Sequence, residues 1–372
     1  MTAGVYLHIP FCKSRCSYCD FATDVYRTGD AVESYVSALL REIDLFLESG
    51  TPIDTIYFGG GTPSLLSPHQ LERTLKAITN KFNVEPGSEI TMEMNPATVT
   101  LDSLAAYRLS GINRASFGVQ TFDDRALKLL ARGHNAADAR RTFEMLRAAG
   151  FENISFDLIA GLPGQTLDAW RDNLDEAMKL GPEHISLYLL EIHEGTPLAE
   201  QVRSGRQPTP DEDLAAEMYE LMLDRLAGAG YKQYEISNFA RAGYPSRHNT
   251  KYWRLEPVFG FGVSAHSFDG TQRYANERDT GRYVDMIENA GTGEVMREQI
   301  NAASEFVFLG LRLNAGVDLE RYELLFGSDL LTERAPAIDQ LVDARLVDVS
   351  PRTIKLTRKG MLFSNVVFAE FV

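Results

Sequence analysis

Along the first 236 residues, short runs rich in β-branched and aromatic residues alternate with stretches whose apolar positions recur at helical spacing. The strand-like runs fall at 4–8, 54–58, 89–94, 114–118, 154–158 and 184–190. Helical patterns lie between them at 31–48, 68–80, 101–109, 123–130, 136–149 and 166–180. Their ends carry local signals. Ser67-Pro-His-Gln70 reads as a capping box with proline at the first helical position. Gly150 and Gly181 follow the last apolar positions of their helices, where a left-handed residue ends a helix. Such alternation predicts parallel strands joined by right-handed crossovers. Six units are fewer than a closed eightfold barrel, so the economical expectation is an α/β fold, an open, partial (β/α)6 barrel.

The later part of the chain reads differently. A glycine-rich stretch, Phe259-Gly-Phe-Gly-Val-Ser-Ala-His266, precedes a helical segment near 302–313. The tail then alternates helices with a predicted hairpin over 346–356. Helices followed by such a hairpin predict a smaller α+β, winged-helix-like unit. The expected division is therefore 1–238 for the barrel and 239–372 for the second domain. Internal repeats and low-complexity linkers are absent from the sequence.

Composition narrows the function classes. Apolar content of 44% and charged content of 24% are ordinary for a globular protein. The net charge of −15, from 37 basic and 52 acidic residues, disfavours nonspecific nucleic-acid binding and tight adhesion to anionic lipid. This argues for a packing or partner role for the winged-helix-like unit. No apolar run approaches the ~20 residues of a membrane span, and the start of the chain lacks a signal-peptide pattern.

Three cysteines sit on one short loop, Cys12, Cys16 and Cys19, spaced C-x3-C-x2-C, and the chain has no others. Clustered thiols without a disulfide framework fit a reducing cytosol, so the expected location is cytoplasmic, with peripheral membrane association left open. A [4Fe–4S] cluster has four iron corners, usually all filled by cysteine. Three thiolates leave one iron open for a ligand. The alternative is a structural zinc site with His8 or a distant histidine as the fourth ligand, although zinc sites more often pair cysteines on two separated arms.

The loop follows a strand and carries an aromatic, Tyr18, before its third cysteine; it resembles that of the radical S-adenosylmethionine (SAM) proteins. The lead-in Tyr6-Leu-His-Ile-Pro-Phe-Cys12 resembles the coproporphyrinogen III oxidase-like branch of that superfamily. This resemblance implies that Cys12, Cys16 and Cys19 ligate a [4Fe–4S] cluster and that the SAM amino and carboxylate groups chelate the open iron. Active sites of parallel barrels lie at the carboxyl ends of strands, and distinctive residues recur there. Gly59-Gly60-Gly61-Thr62 follows the second strand, Glu93 beside Asn95 the third, Gln120 the fourth, Asp157 the fifth and Glu191 the sixth, with Arg132 after a short helix. SAM needs acceptors for its amino group and ribose hydroxyls and a cation for its carboxylate. Taken singly, the glycines also read as a tight turn and the carboxylates as solvated loop residues. By resemblance, Tyr6, Gly60, Gly61, Thr62, Glu93, Gln120, Arg132 and Asp157 match SAM-binding positions.

Two sub-branches share these features. In the oxygen-independent oxidase the cysteine motif continues to a further cysteine; here that position is Phe21. The oxidase also carries an N-terminal extension, whereas eleven residues precede Cys12 in this sequence. The heme chaperone sub-branch carries H-N-x-x-Y-W, and this chain has His248-Asn249-Thr-Lys-Tyr252-Trp253. An imidazole is a good heme ligand, and Tyr and Trp pack against a porphyrin face, so His248 is a candidate cofactor-binding residue, with His266 a second. The plainer reading of the hexapeptide is a capping turn whose aromatics fill the interdomain core. The resemblance implies a chaperone for heme that serves recipient hemoproteins such as membrane-bound respiratory complexes, with no nucleic-acid partner; a homodimer is left open. Its alternative is a radical SAM enzyme acting on a porphyrinogen.

Overall fold

A computed structural model describes residues 2–26, 28–48 and 50–372. The six strand-like runs form β1 Ala3–Ile9, β2 Pro52–Gly60, β3 Asn83–Met94, β4 Arg114–Gln120, β5 Ile154–Ala160 and β6 His184–Leu189. Each pairs in parallel with the next. The intervening helices are α1 Gly29–Leu45, α2 Pro68–Lys81, α3 Leu101–Leu109, α4 Asp124–Leu129, α5 Ala136–Ala148 and α6 Leu167–Leu180. The capping box at α2 forms as read: Ser67 Oγ accepts from the Gln70 N–H at 3.3 Å, and the Gln70 side chain accepts from the Ser67 N–H at 2.9 Å. Gly181 closes α6 in the left-handed conformation.

Side chains alternate across each strand with period two. Val5, Leu7, Ile56, Phe58, Met92, Phe117, Phe156 and Leu187 share one core with helix residues such as Tyr35, Leu71, Leu104, Leu146 and Trp170. The opposite face of the same strands is polar. Thr55, Thr91, Arg114, Ser155 and His184 lie there, almost or wholly buried. That inner face positions the site.

The sheet is wider than six strands. Past α7 Pro197–Arg203 and α8 Glu212–Gly228, the strands β7 Lys232–Glu235 and β8 Asn238–Ala240 extend the β6 edge antiparallel. After α9 Arg247–Trp253, β9 Val258–Phe261 returns to pair in parallel with β1. Strands β10 His266–Phe268, β11 Gln272–Asn276 and β12 Glu294–Gln299 continue outward antiparallel. Across the described residues the order is β12-β11-β10-β9-β1-β2-β3-β4-β5-β6-β8-β7. One sheet thus receives strands from both sides of residue 239. The tail carries a separate core around Val307, Tyr322, Ile338, Ile354 and Val367. There Val347–Val349 and Thr353–Leu356 form the predicted hairpin, and Val317–Asp318 adds a third strand. No helix of the described residues is long and apolar enough to cross a membrane.

Candidate cofactor site at the barrel mouth

The cysteine loop leaves the carboxyl end of β1 and is tied down at its middle. Ser17 donates from its N–H to the Leu130 carbonyl (2.9 Å) and from Oγ to the Leu129 carbonyl (3.0 Å), and it accepts from the Leu198 N–H (2.8 Å). This fastens the loop to the ends of α4 and α7. The three thiols are free and half-buried. Burial pushes the Cys12 and Cys19 thiols up, and charge on the neighbouring cysteines adds to the rise. Positive counter-charge is therefore needed to collect three thiolates here. Among the described residues, no preformed group of His, Cys, Asp and Glu stands ready to hold an ion. His8 is already engaged at both ring nitrogens, with Tyr6 Oη at 3.1 Å and the Ala22 carbonyl at 2.9 Å. As built, it is no fourth zinc ligand.

Arg132, half-buried just beyond α4, reaches back to the loop. One guanidinium nitrogen lies 3.4 Å from Cys16 Sγ, and the other donates to the Asn95 side chain (2.6 Å) and the Gly118 carbonyl (2.7 Å). Its Nε is buried without a protein acceptor. Thr62 Oγ1 lies 3.5 Å from Cys12 Sγ. Tyr18 is partly buried and packs with Leu130, Ile159, Leu162 and Leu198, and its hydroxyl pKa is raised chiefly by desolvation.

The sequence-predicted carboxylates also face inward. Glu93 accepts from Tyr57 Oη at 2.7 Å and from the Gly60 N–H at 3.2 Å. Burial pushes its pKa up to about 7 against those two donors. Asp157 is raised by burial and held down in part by Ser186, Arg114 and Arg132. Two largely desolvated, partly buried acids without a direct ion pair are a setting for a cationic, hydroxyl-bearing ligand. Gln120 is buried with φ of 66°, a left-handed conformation that a non-glycine residue seldom adopts. It sits where the β4–β5 register slips. Gly61 is required by close approach: a Cβ there would stand 2.6 Å from the Pro10 carbonyl carbon and oxygen. The glycine run thus brings the end of β2 against the cysteine loop itself. At Gly60, with φ of 109°, a Cβ would strike the His8 ring at 2.7 Å.

Three further candidates lie apart from the barrel mouth. Glu191 is exposed, 3.8 Å from His193, and stays out of the site. His266 lies on the exposed face of β10. His248 is 1% exposed; its ring bonds Thr55 Oγ1 at 2.9 Å and Tyr252 Oη at 3.1 Å and stacks on Tyr57 with centroids 5.1 Å apart. Burial drives its pKa down to about 3. His248 is thus a neutral, buried histidine at the floor of the inner face, with both ring nitrogens engaged. Tyr6 completes that floor, stacked on Tyr57 with centroids 6.1 Å apart. Sequence reasoning missed Tyr57 and Arg114. The signal was present: polar residues at every second position of β2 and β4, where buried parallel strands are ordinarily apolar throughout.

Comparisons with known proteins agree with this frame. Residues 6–177 match the radical SAM superfamily, and 298–363 match the HemN C-terminal domain. A protein of Bacillus subtilis named heme chaperone HemW is 38% identical over 99% of both chains. A Mycobacterium tuberculosis protein of the same name is 36% identical over 98% of this chain and 93% of its own. The coproporphyrinogen III oxidase HemN of Escherichia coli, described as a radical SAM enzyme, superposes with a TM-score of 0.87 at 26% identity, covering 100% of this chain and 90% of that one. The superfamily implies a [4Fe–4S] cluster and SAM. Three thiols on one loop, an arginine and a hydroxyl beside two of them, and two partly buried carboxylates form a donor set that fits both.

Proposed function

We propose that this chain, which belongs to the radical SAM superfamily and to the HemW-type branch of its HemN-like group, is a heme chaperone that carries a [4Fe–4S] cluster and SAM and passes heme to hemoproteins. The observation that carries the reading is a full polar mouth around three thiols in a chain collinear with proteins named heme chaperones. Cys12, Cys16 and Cys19 would ligate the cluster, which when bound supplies an open iron for SAM. Arg132 would meet the SAM carboxylate. Glu93 and Asp157 would take its amino and ribose groups, with Gly60, Gly61, Thr62, Gln120 and Tyr6 shaping the walls and Tyr18 backing the loop. Tyr57 and the Gly60 N–H hold the Glu93 carboxylate in place.

Phe21 supports the chaperone reading over the oxidase. It stands where the oxidase motif continues to cysteine, and its side chain is 67% exposed beside the loop. The recipient hemoproteins are proposed to include membrane-bound respiratory complexes. The test is heme titration into anaerobically reconstituted protein, followed by transfer to an apo-hemoprotein. A Soret band that saturates at stoichiometric heme and then moves to the acceptor supports the proposal. Lack of saturable heme binding would overturn it.

A further inference from the structure

We propose that Asn95 is a positioning residue that sets the hydrogen bonds received by two of the three cysteine sulfurs. Its side-chain amide bridges the two groups that touch them. Arg132 Nη2 donates to Asn95 Oδ1 at 2.6 Å, while the same guanidinium lies 3.4 Å from Cys16 Sγ. Asn95 Nδ2 donates to Thr62 Oγ1 at 2.7 Å, and that hydroxyl lies 3.5 Å from Cys12 Sγ.

Donor inventory fixes the direction of every bond. A guanidinium only donates, so the amide oxygen must face Arg132 and the NH2 must face Thr62. The Thr62 hydroxyl accepts there, which frees its own proton for Cys12 Sγ. The Asn95 backbone is anchored from behind. The Asn95 carbonyl accepts from Thr98 Oγ1 at 2.6 Å and from the Thr98 N–H at 3.2 Å. Thr98 Oγ1 in turn bonds Ser64 Oγ at 2.9 Å, which staples the loop after β3 to the loop after β2.

Hydrogen bonds to cysteine sulfur stabilise the reduced, more negative state of an iron–sulfur cluster and raise its reduction potential. The inference rests on the reading that the three cysteines hold a [4Fe–4S] cluster, and is independent of heme. Replacing Asn95 by Asp keeps the acceptor for Arg132 but turns the other end into an acceptor as well. The Thr62 proton is then drawn away from Cys12, and negative charge is added.

The experiment measures the reduction potential and EPR signal of the SAM-free, iron-loaded protein for wild type, Asn95→Ala, Asn95→Asp, Thr62→Val and the Asn95→Ala/Thr62→Val pair, at matched iron content. Asn95→Ala should make reduction about tenfold less favourable, a fall of about 59 mV for a one-electron couple. Asn95→Asp should fall further. The pair should fall by less than the sum of the single changes, since the part of the Asn95 effect that reaches Cys12 runs through Thr62 and only the rest runs through Arg132. Asn95→Ala at the wild-type potential, or strictly additive shifts, would overturn the proposal. If Asn95→Ala loads no iron, the near-isosteric Asn95→Asp carries the test, and an unshifted potential there overturns it equally. A wild-type protein that loads no iron would instead sink the cluster reading.

Discussion

Replacing Glu93 by glutamine tests the buried charge of the site. In the folded chain burial raises Glu93 from an ordinary 4.5 to about 7, despite donors from Tyr57 and Gly60. Each pH unit of such a difference is 1.36 kcal/mol, so holding the carboxylate ionised costs about 3 kcal/mol. The sign follows from linkage. A raised acid binds its proton more tightly when folded, so its contribution to stability is full below the unfolded value and is lost as pH rises through about 7. Glutamine cannot ionise and escapes that loss. Its NH2 then opposes the Gly60 N–H, a mismatch of about 1 kcal/mol. The substituted protein should therefore be about 2 kcal/mol more stable than wild type at pH 8.5, and about as stable as wild type at pH 5, where the unfolded carboxylate is already mostly ionised. Urea unfolding of cluster-free protein, followed by fluorescence of the buried Trp170, reads this difference. Stability curves that run parallel from pH 5 to 8.5 would refute the buried-charge argument. In the cluster-loaded protein, SAM affinity by equilibrium dialysis should fall as pH drops below about 7 in wild type and change less in Glu93→Gln.

Anaerobic reconstitution should give about four irons per chain, and Cys16→Ser should lose them by iron assay; stoichiometric zinc without cluster absorbance would count against the assignment. Reduced, SAM-supplied protein should leave coproporphyrinogen III intact, and protoporphyrinogen detected by chromatography would favour the oxidase. His248→Ala leaves the Thr55 and Tyr252 hydroxyls without their ring partner, so urea unfolding should show a loss of roughly 3 kcal/mol. With both ring nitrogens engaged, the Soret position of the heme complex should not move; a shifted band would restore His248 as a ligand.

The barrel was legible because its signals are local. Most strands from β1 to β6 are short runs bounded by turn or cap residues, and α1, α2, α5 and α6 each show one apolar face, so type followed from pattern; β3 starts at Asn83, earlier than the predicted 89, and α3 leaves Leu101 and Leu109 exposed. The cysteine loop was legible because spacing is a sequence property. The flanking strands were not. β9 is four residues long and pairs with β1 across more than half the chain. Such long-range pairing leaves no mark in either segment. Helices α7 and α8 also lay outside the sequence reading. Arg132 and Thr62 were recognisable by resemblance, but their link through Asn95 was not, because it depends on three loops meeting. His248 shows the opposite case. The motif was visible, yet whether an imidazole is free or satisfied depends on what lies above it, here Thr55, Tyr57 and Tyr252.

The polar inner face explains why the barrel needs the later part of the chain. Buried polar groups require partners, and several partners here come from beyond residue 230. Ser155 Oγ meets His184 Nδ1 at 2.8 Å, His184 Nε2 meets Tyr234 Oη at 2.8 Å, and Tyr234 Oη accepts from the Ser246 N–H at 3.2 Å. Thr55 is satisfied by His248, and His248 by Tyr252. The Glu89 carboxylate accepts the Arg247 and His248 N–H groups at the start of α9, both at 3.1 Å. Helix α9 thus closes the floor that β1 to β6 leave open. Above that floor, His248 stacks on Tyr57, and Tyr57 donates to Glu93. The H-N-x-x-Y-W segment is therefore connected to the Glu93 carboxylate by direct packing, through one aromatic ring. Its value to the protein lies first in supplying partners to the buried polar groups of that inner face.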